Sequence, residues 1–227
     1  MNKRDYIAEI LSKKSRLYPS STRWELVAGQ LQYLLEALDD MEEFLEAKRI
    51  VDHEVLRYFP IRLVACIEGY FRLAYADLID YGSPFRENTA KFEIKFTIDT
   101  ALSLQRHSVT LGEFVAHLLP TNNLQDINGS ISKIINDDFL QRLKARRLTL
   151  IRQPYIIPEF EAEADSILIG GINRLFETRH ILSHELAPVL VPSLGNAVGL
   201  MQITTEFLRI TEAVMADLLE PSPLISA

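Results

Sequence analysis

The chain of 227 residues has one cysteine, Cys66, and only nine glycines. A single thiol excludes a disulfide framework within the chain and is typical of a reducing compartment. Helix-forming residues dominate and few runs alternate with period two, which predicts an all-α fold. No window approaches the roughly 18 uninterrupted apolar residues of a membrane span, and the charged amino terminus leads into no apolar signal segment. We therefore expect a cytoplasmic protein without a membrane partner.

Several motifs of common enzyme classes are missing. Neither the phosphate-binding loop nor the dinucleotide-binding glycine pattern occurs, and the zinc-protease order H-E-x-x-H is absent because Glu185 follows its neighbouring histidine, His184. We expect no cofactor. The net charge of −7 argues against broad, non-specific binding to nucleic acid. Any recognition of RNA would have to be local.

The hydrophobic fraction of 48% is enough for one well-formed core. We expect a single domain over residues 1–227, with an inserted helical region at approximately 108–158. A capping box at Ser21 or Thr22 with Glu25 should begin the second helix. The third helix is the most apolar and should be the centre of the bundle. The predicted helices cover about 5–15, 22–49, 53–81, 88–106, 110–118, 131–144, 159–186 and 196–219, with less regular chain at 120–130.

The most informative stretch is Arg179-His180-Ile181-Leu182-Ser183-His184, near the end of the predicted helix 159–186. On ideal helix geometry His180 and His184 lie one turn apart on one face. Arg179 falls near the centre of a separate apolar stripe. A guanidinium there keeps its charge and is costly to bury without a partner. The stripe consists of Leu168, Ile172, Leu175, Leu182 and Leu186.

This pattern resembles the signature of the HEPN superfamily (higher eukaryotes and prokaryotes nucleotide-binding), in which Arg and His are separated by four residues late in a helical bundle. The segment Leu63 to Arg72 looks like the family's apolar core helix with its embedded glutamate, here Glu68. One subgroup has a tyrosine two positions after the motif histidine. Here that position is Leu186, so regulation through such a tyrosine is not expected.

The resemblance implies an all-α, HEPN-like bundle of four to five helices that forms a homodimer, with two motifs facing one cleft. It also implies a metal-independent endoribonuclease, often a toxin or antiviral effector, with a possible antitoxin or defence-system partner protein. The catalytic residues would then be Arg179, His184 and His180. RNA would be the substrate.

The motif suits RNA cleavage because the ribose 2′-hydroxyl must lose a proton and the departing 5′-oxygen must gain one. Histidine titrates near neutral pH and can do either, while a guanidinium stabilises the charge that develops on phosphorus. We assign proton transfer to His184 and the phosphate to Arg179. His180 either orients the phosphate or completes the second acid–base position across the dimer. Glu68, an isolated acid beside the apolar stripe of the central helix, is the expected partner of Arg179.

Arg179 and His184 differ by roughly 140° around a regular helix, which favours a site completed by two subunits. A basic cluster of Lys144, Arg146, Arg147 and Arg152 could contact phosphates, although such clusters are usually solvated helix ends.

Other interpretations remain open at this point. His180 and His184 could bind a metal with a third ligand from His53, His107, His117 or Glu185. His107 and His117 otherwise fit ordinary surface positions, and Cys66 fits a buried, inert thiol. The bundle could also bind a nucleotide, RNA or a partner protein without cleaving, with Arg179 as a structural salt-bridge residue.

Overall fold

The computed structural model describes residues 5–16, 21–49, 54–95, 97–151, 158–184 and 192–220, with the backbone alone for 148–151 and 158–165. Within these ranges the regular structure is entirely helical and no strand occurs. The all-α prediction is confirmed. No helix in the described ranges combines the length and the apolar character that crossing a membrane requires.

Ten α-helices are present in the described ranges, together with 3-10 turns at Glu54–Arg57 and Thr89–Phe92. The second helix begins with the predicted capping box: the Glu25 amide donates to Thr22 Oγ1 at 3.2 Å, and the Thr22 amide donates to Glu25 Oε2 at 2.7 Å. The helices are α1 (Tyr6–Lys14), α2 (Arg23–Lys48), α3 (Tyr58–Tyr81), α4 (Phe85–Asn88), α5 (Ile98–Arg106), α6 (Leu111–Leu118), α7 (Leu124–Ile135), α8 (Phe139–Ile151), α9 (Pro158–His184) and α10 (Leu194–Leu219).

Helix α3 is the centre of the bundle, as its apolar pattern predicts. It packs against α2, α6, α9 and α10. The ring of Phe71, fully buried, lies 5.9 Å from the ring of Phe139 on α8 and 5.9 Å from that of Phe207 on α10. Aromatic contacts of this kind add to the apolar burial that stabilises the core. Helix α3 therefore positions the motif helix α9 directly, and α8 packs on α10.

The helix predicted for 88–106 is wrong in its extent. The chain forms the short α4, a 3-10 turn and then non-helical residues at 93–95 and 97 before α5 begins. Glu93 adopts a left-handed conformation with φ 51°. Thr97 then caps α5 by accepting a hydrogen bond from the Thr100 amide, which favours a new helix start over a continuous helix.

The helix predicted for 131–144 is also wrong, because it is two helices. The segment 128–130, predicted as irregular, lies inside α7, which ends at Ile135 and is capped by Asn136 with φ 56°. Asparagine tolerates this left-handed conformation and is a common helix terminator. Asp138 then accepts a hydrogen bond from the Gln141 amide at the start of α8. The turn between α7 and α8 redirects the chain so that α8 packs on α10.

The described part of the predicted inserted region belongs to the main core. Apolar side chains of α6, α7 and α8 join the same cluster as those of α3. Helices α6 and α3 approach so closely at Gly112 that an added Cβ would lie 2.4 Å from the Ala76 carbonyl oxygen. Asp80 on α3 accepts a hydrogen bond from the Gly112 amide at 2.9 Å. The region from α6 to α8 thus completes the bundle around α3.

Candidate functional site

Helix α9 carries the motif and is held between α3 and α10. The buried residues Leu168, Ile172 and Leu175 face the core as predicted, and Phe176 joins them. Gly171 permits a close approach to α10, since an added Cβ would lie 2.7 Å from Ile203 Cδ1. The motif occupies the carboxyl end of the helix up to His184. The predicted continuation to Leu186 lies outside the described residues.

The predicted ion pair between Arg179 and Glu68 is present. Arg179 Nη2 donates to Glu68 Oε1 at 2.5 Å, and the exposed fractions of the two side chains are 22% and 18%. A short charge-assisted hydrogen bond at this depth fixes the orientation of the guanidinium. Among the described residues, no other acceptor takes a hydrogen bond from Arg179. Its remaining N–H groups are therefore unassigned within the described part of the chain.

The two histidines of the motif lie at the surface. His180 and His184 are both exposed, and their ring centroids are 5.0 Å apart with an interplanar angle of 50°. This is the one-turn spacing that the sequence predicts. Neither imidazole forms a hydrogen bond or ion pair with any described residue. The structure therefore brings the two imidazoles together in contact with solvent, while the Arg179 side chain turns to Glu68 on α3.

The basic cluster on α8 is partly engaged inside the molecule. Arg146 pairs with Asp217 at 3.0 Å and Arg147 with Glu206 at 3.0 Å, and both carboxylates lie on α10. Arg147 is buried, so its guanidinium does not lie on an open surface. Lys144 is half-buried, and Arg152 lies outside the described residues. The two arginines pair α8 with α10, and a phosphate-contacting role for the cluster stays a prediction.

The other histidines differ from one another. His107 is exposed, as expected. His117 is not an ordinary surface residue: only 5% of its side chain is exposed, and Nε2 lies 2.8 Å from Glu9 Oε2 on α1. His117 therefore links α6 to α1. The sequence of a short amphipathic helix does not predict such a long-range contact. Among the described residues, no group of three or more His, Cys, Asp and Glu side chains could hold a metal ion. His53 and Glu185 lie outside them.

A second charged network escaped the sequence analysis. Arg23 on α2 donates from Nε to Glu212 Oε2 at 2.8 Å and from Nη1 to Asp77 Oδ2 at 2.6 Å. The Tyr70 hydroxyl also donates to Glu212 Oε2, at 2.6 Å. Burial raises the pKa of Tyr70 well above its ordinary value and the nearby Glu212 raises it further, while Arg23 opposes them. The phenol therefore stays neutral and acts as a donor.

This network joins α2, α3 and α10. In the local sequence, the network is indicated only by a charged residue, Glu212, next to buried positions of α10. Its partner Arg23 lies 189 residues away in the chain. Sequence spacing cannot connect the two. Its members satisfy one another, so the network fits a structural role.

Comparison with known proteins adds no assignment: no family model, no curated protein and no solved structure matches the chain.

Proposed function

We propose that the protein is a metal-independent endoribonuclease of the HEPN type, acting as a homodimer and serving as a toxin or antiviral effector. The observation that carries the proposal is an anchored guanidinium followed within five positions by two solvent-exposed imidazoles in mutual contact. Such a set can stabilise a phosphate and transfer protons without a metal. The resemblance of the motif to the family signature supports the same activity.

In the proposed reaction His184 removes the proton from a ribose 2′-hydroxyl, and the oxygen attacks the adjacent phosphorus. The bond from phosphorus to the 5′-oxygen breaks, and an imidazolium, His180 in our assignment, donates a proton to that oxygen. The products are a 2′,3′-cyclic phosphate and a 5′-hydroxyl. Arg179 stabilises the negative charge on the phosphorane through N–H groups that Glu68 does not use.

Glu68 acts as a positioning residue in this scheme. Its carboxylate lies on the central helix α3, which buries most of its apolar side chains in the core, so it holds the Arg179 side chain against a rigid element. A guanidinium oriented before substrate binds loses less conformational entropy in the transition state.

The direction of the side chains supports the proposed homodimer. Arg179 turns to α3 while the two histidines face solvent, and an ideal helix separates Arg179 from His184 by roughly 140°. A two-fold axis near the end of α9 would place the arginine of one subunit beside the histidines of the other. The possible antitoxin or defence-system partner would act by covering that cleft.

A non-catalytic bundle that binds RNA, a nucleotide or a partner protein is the second candidate. The ion pair to Glu68 favours it, because it already neutralises the charge of Arg179 within the subunit. The two candidates make different predictions: the nuclease releases cyclic-phosphate ends and needs His184 to do so, whereas the binding bundle leaves RNA intact.

Subunit mixing tests the proposal. Arg179→Ala and His184→Ala proteins are purified separately, mixed under conditions that exchange subunits, and incubated with end-labelled RNA in a chelator. If the site takes residues from both subunits, the mixture regains cleavage to cyclic-phosphate ends that neither variant shows alone. A wild-type protein that is monomeric, or that yields no cyclic-phosphate ends, overturns the proposal.

A further inference from the structure

A cavity of about 280 Å³ lies between α2 and α3, with Lys13 of α1 at its edge. Its walls are mainly apolar. A water molecule occupies about 30 Å³ in the liquid. On that measure the cavity has room for on the order of ten non-hydrogen atoms. The apolar wall is formed by Leu26, Val27, Ala65, Cys66 and Leu73.

The floor of the cavity is the face of α3 that carries the smallest side chains. Ala65, Cys66 and Gly69 follow one another at helical spacing, and Ala65 and Gly69 are exposed. A Cβ added at Gly69 would meet no atom within 4 Å. A helix packed only for stability would place a larger residue here, because glycine lowers helix stability. The open space over Gly69 can therefore accept an apolar group.

The polar part of the wall is cationic. Arg62 donates to the neutral Gln30 at 2.8 Å, and Arg72 donates to the neutral Thr121 at 3.4 Å. In the described part of the chain, neither guanidinium pairs with a carboxylate. Arg23, the third arginine of the wall, is already held by Asp77 and Glu212. The wall thus has two guanidinium charges without a described counter-ion.

Arg72 marks the end of the cavity where an anion would bind. Its Nε atom is buried and has no hydrogen-bond partner among the described residues. This N–H is closed to solvent, so an anion in the cavity would bind the terminal N–H groups of Arg72, of which the described residues accept only one, from Nη2 to Thr121. Arg72 and Lys13 also both border a neighbouring cavity next to His117, so the two cations lie at the same end. Arg62 lies ten residues earlier on α3, roughly 15 Å away along the helix axis.

We propose that this cavity binds an amphipathic anion: an acidic head group held by Arg72 near Lys13, and an apolar tail of about eight carbons lying over Gly69 and Cys66. A guanidinium forms two parallel hydrogen bonds with a carboxylate or a phosphate. The uncompensated charge selects an anion, and the apolar wall selects a tail. The site is separate from Arg179, His180 and His184.

Calorimetric titration of the full chain with octanoate tests the proposal, with octyl phosphate, octanol and inorganic phosphate as the other arms. We expect saturable binding of octanoate or octyl phosphate, or both, and the stronger of the two identifies the head group. Octanol lacks the charge and phosphate lacks the tail, so each should bind at least tenfold more weakly. Equal binding of inorganic phosphate would replace the proposed ligand by a free anion.

Variants locate the ligand in the cavity. Gly69→Phe fills the space over the helix and should abolish octanoate binding, while Gly69→Ala, the matched control, should retain it. Arg72→Gln should weaken octanoate roughly tenfold or more without changing the binding of octanol. Bound octanoate should also protect Cys66 from alkylation, and this protection is a second measure of binding in the cavity.

The proposal is overturned if octanoate and octyl phosphate both fail to bind at millimolar concentration, or if the better ligand binds Gly69→Phe as well as it binds the wild type. Far-ultraviolet circular dichroism confirms that each variant is folded. Binding should be unchanged in Arg179→Ala, so failure here and failure of the nuclease proposal are distinguishable.

Discussion

Glu68 on α3 and Arg179 on α9 form a direct ion pair, although 111 residues separate them in the chain. The pair joins the central helix to the helix that carries the two exposed histidines. Through this contact the rigid core holds the arginine of the candidate site in place.

Glu68→Gln should lower the free energy of unfolding by about 1–3 kcal/mol, because Arg179 keeps its charge at a depth where water replaces the carboxylate only partly. Chemical denaturation measures the change. Glu177→Gln is the matched control, since Glu177 is an exposed glutamate on α9 and its loss alters the net charge equally. Equal stability of the two variants would remove Glu68 as the anchor of Arg179.

Arg23→Met should destabilise the bundle by about 2–4 kcal/mol, because the substitution leaves Asp77 and Glu212 close together without their cation. The partial exposure of Asp77 keeps the effect at the lower end of the range for buried pairs. Arg209→Met, at an exposed position of α10, should change the free energy of unfolding by less than about 0.5 kcal/mol. A small effect at both positions would show that solvent compensates the network.

Alanine substitution should lower the stability at one glycine and raise it at another. Gly112→Ala forces a Cβ to 2.4 Å from the Ala76 carbonyl oxygen, so α6 must move away from α3 and the melting temperature should fall. Gly129→Ala adds a methyl to the exposed side of α7, where nothing lies within 4 Å. It should raise the free energy of unfolding by up to about 1 kcal/mol. Thermal melts of both proteins check the pair; a stabilised Gly112→Ala protein would contradict the close packing of α6 on α3.

The thiol of Cys66 should react slowly at neutral pH and faster as the pH rises. Burial raises its pKa above the ordinary value, and Arg62 opposes this by lowering it. Only the thiolate is nucleophilic, so a raised pKa reduces the reactive fraction at any given pH. The rate of alkylation by N-ethylmaleimide should therefore keep increasing above pH of about 8.5, where an ordinary thiol is half ionised.

Arg62→Gln removes the opposing charge and should slow alkylation of Cys66 further at the same pH. Arg106→Gln, at an exposed position of α5, should leave the rate unchanged. A rate that already levels off at a pH of about 8.5 to 9.5 would mean that the thiol ionises as easily as in an open peptide, and would contradict the raised pKa of Cys66.

Much of the fold follows from local sequence. Apolar spacing predicts α3 and its central place, and the Thr22 and Glu25 pair predicts the start of α2. The errors occur where a single residue decides between continuing and ending a helix: Asn136 ends α7 in a left-handed conformation, and Thr97 caps α5. Periodicity does not reveal such choices, because the apolar pattern continues on both sides of the break.

The candidate site likewise has features that the local sequence predicts and features that it does not. The spacing of His180 and His184 follows from helix geometry, and the partnership of Glu68 and Arg179 follows from two isolated charges on apolar stripes. The network around Arg23 and the contact of His117 with Glu9 depend on how distant helices meet. No spacing rule predicts these long-range pairs. Leu35 and Phe44 of α2 are 42% and 40% exposed, because the other helices cover a narrower stripe of α2 than its apolar residues form.

The central claim is tested most directly by the single-turnover rate of cyclic-phosphate formation in a chelator, compared between wild type, His184→Ala and His107→Ala. Loss of a general acid–base group should slow the reaction by about 10²–10⁴-fold, whereas removal of the exposed His107, directly after α5, should leave the rate unchanged. Equal rates for the three folded proteins, or no cyclic phosphate from the wild type, would contradict the account.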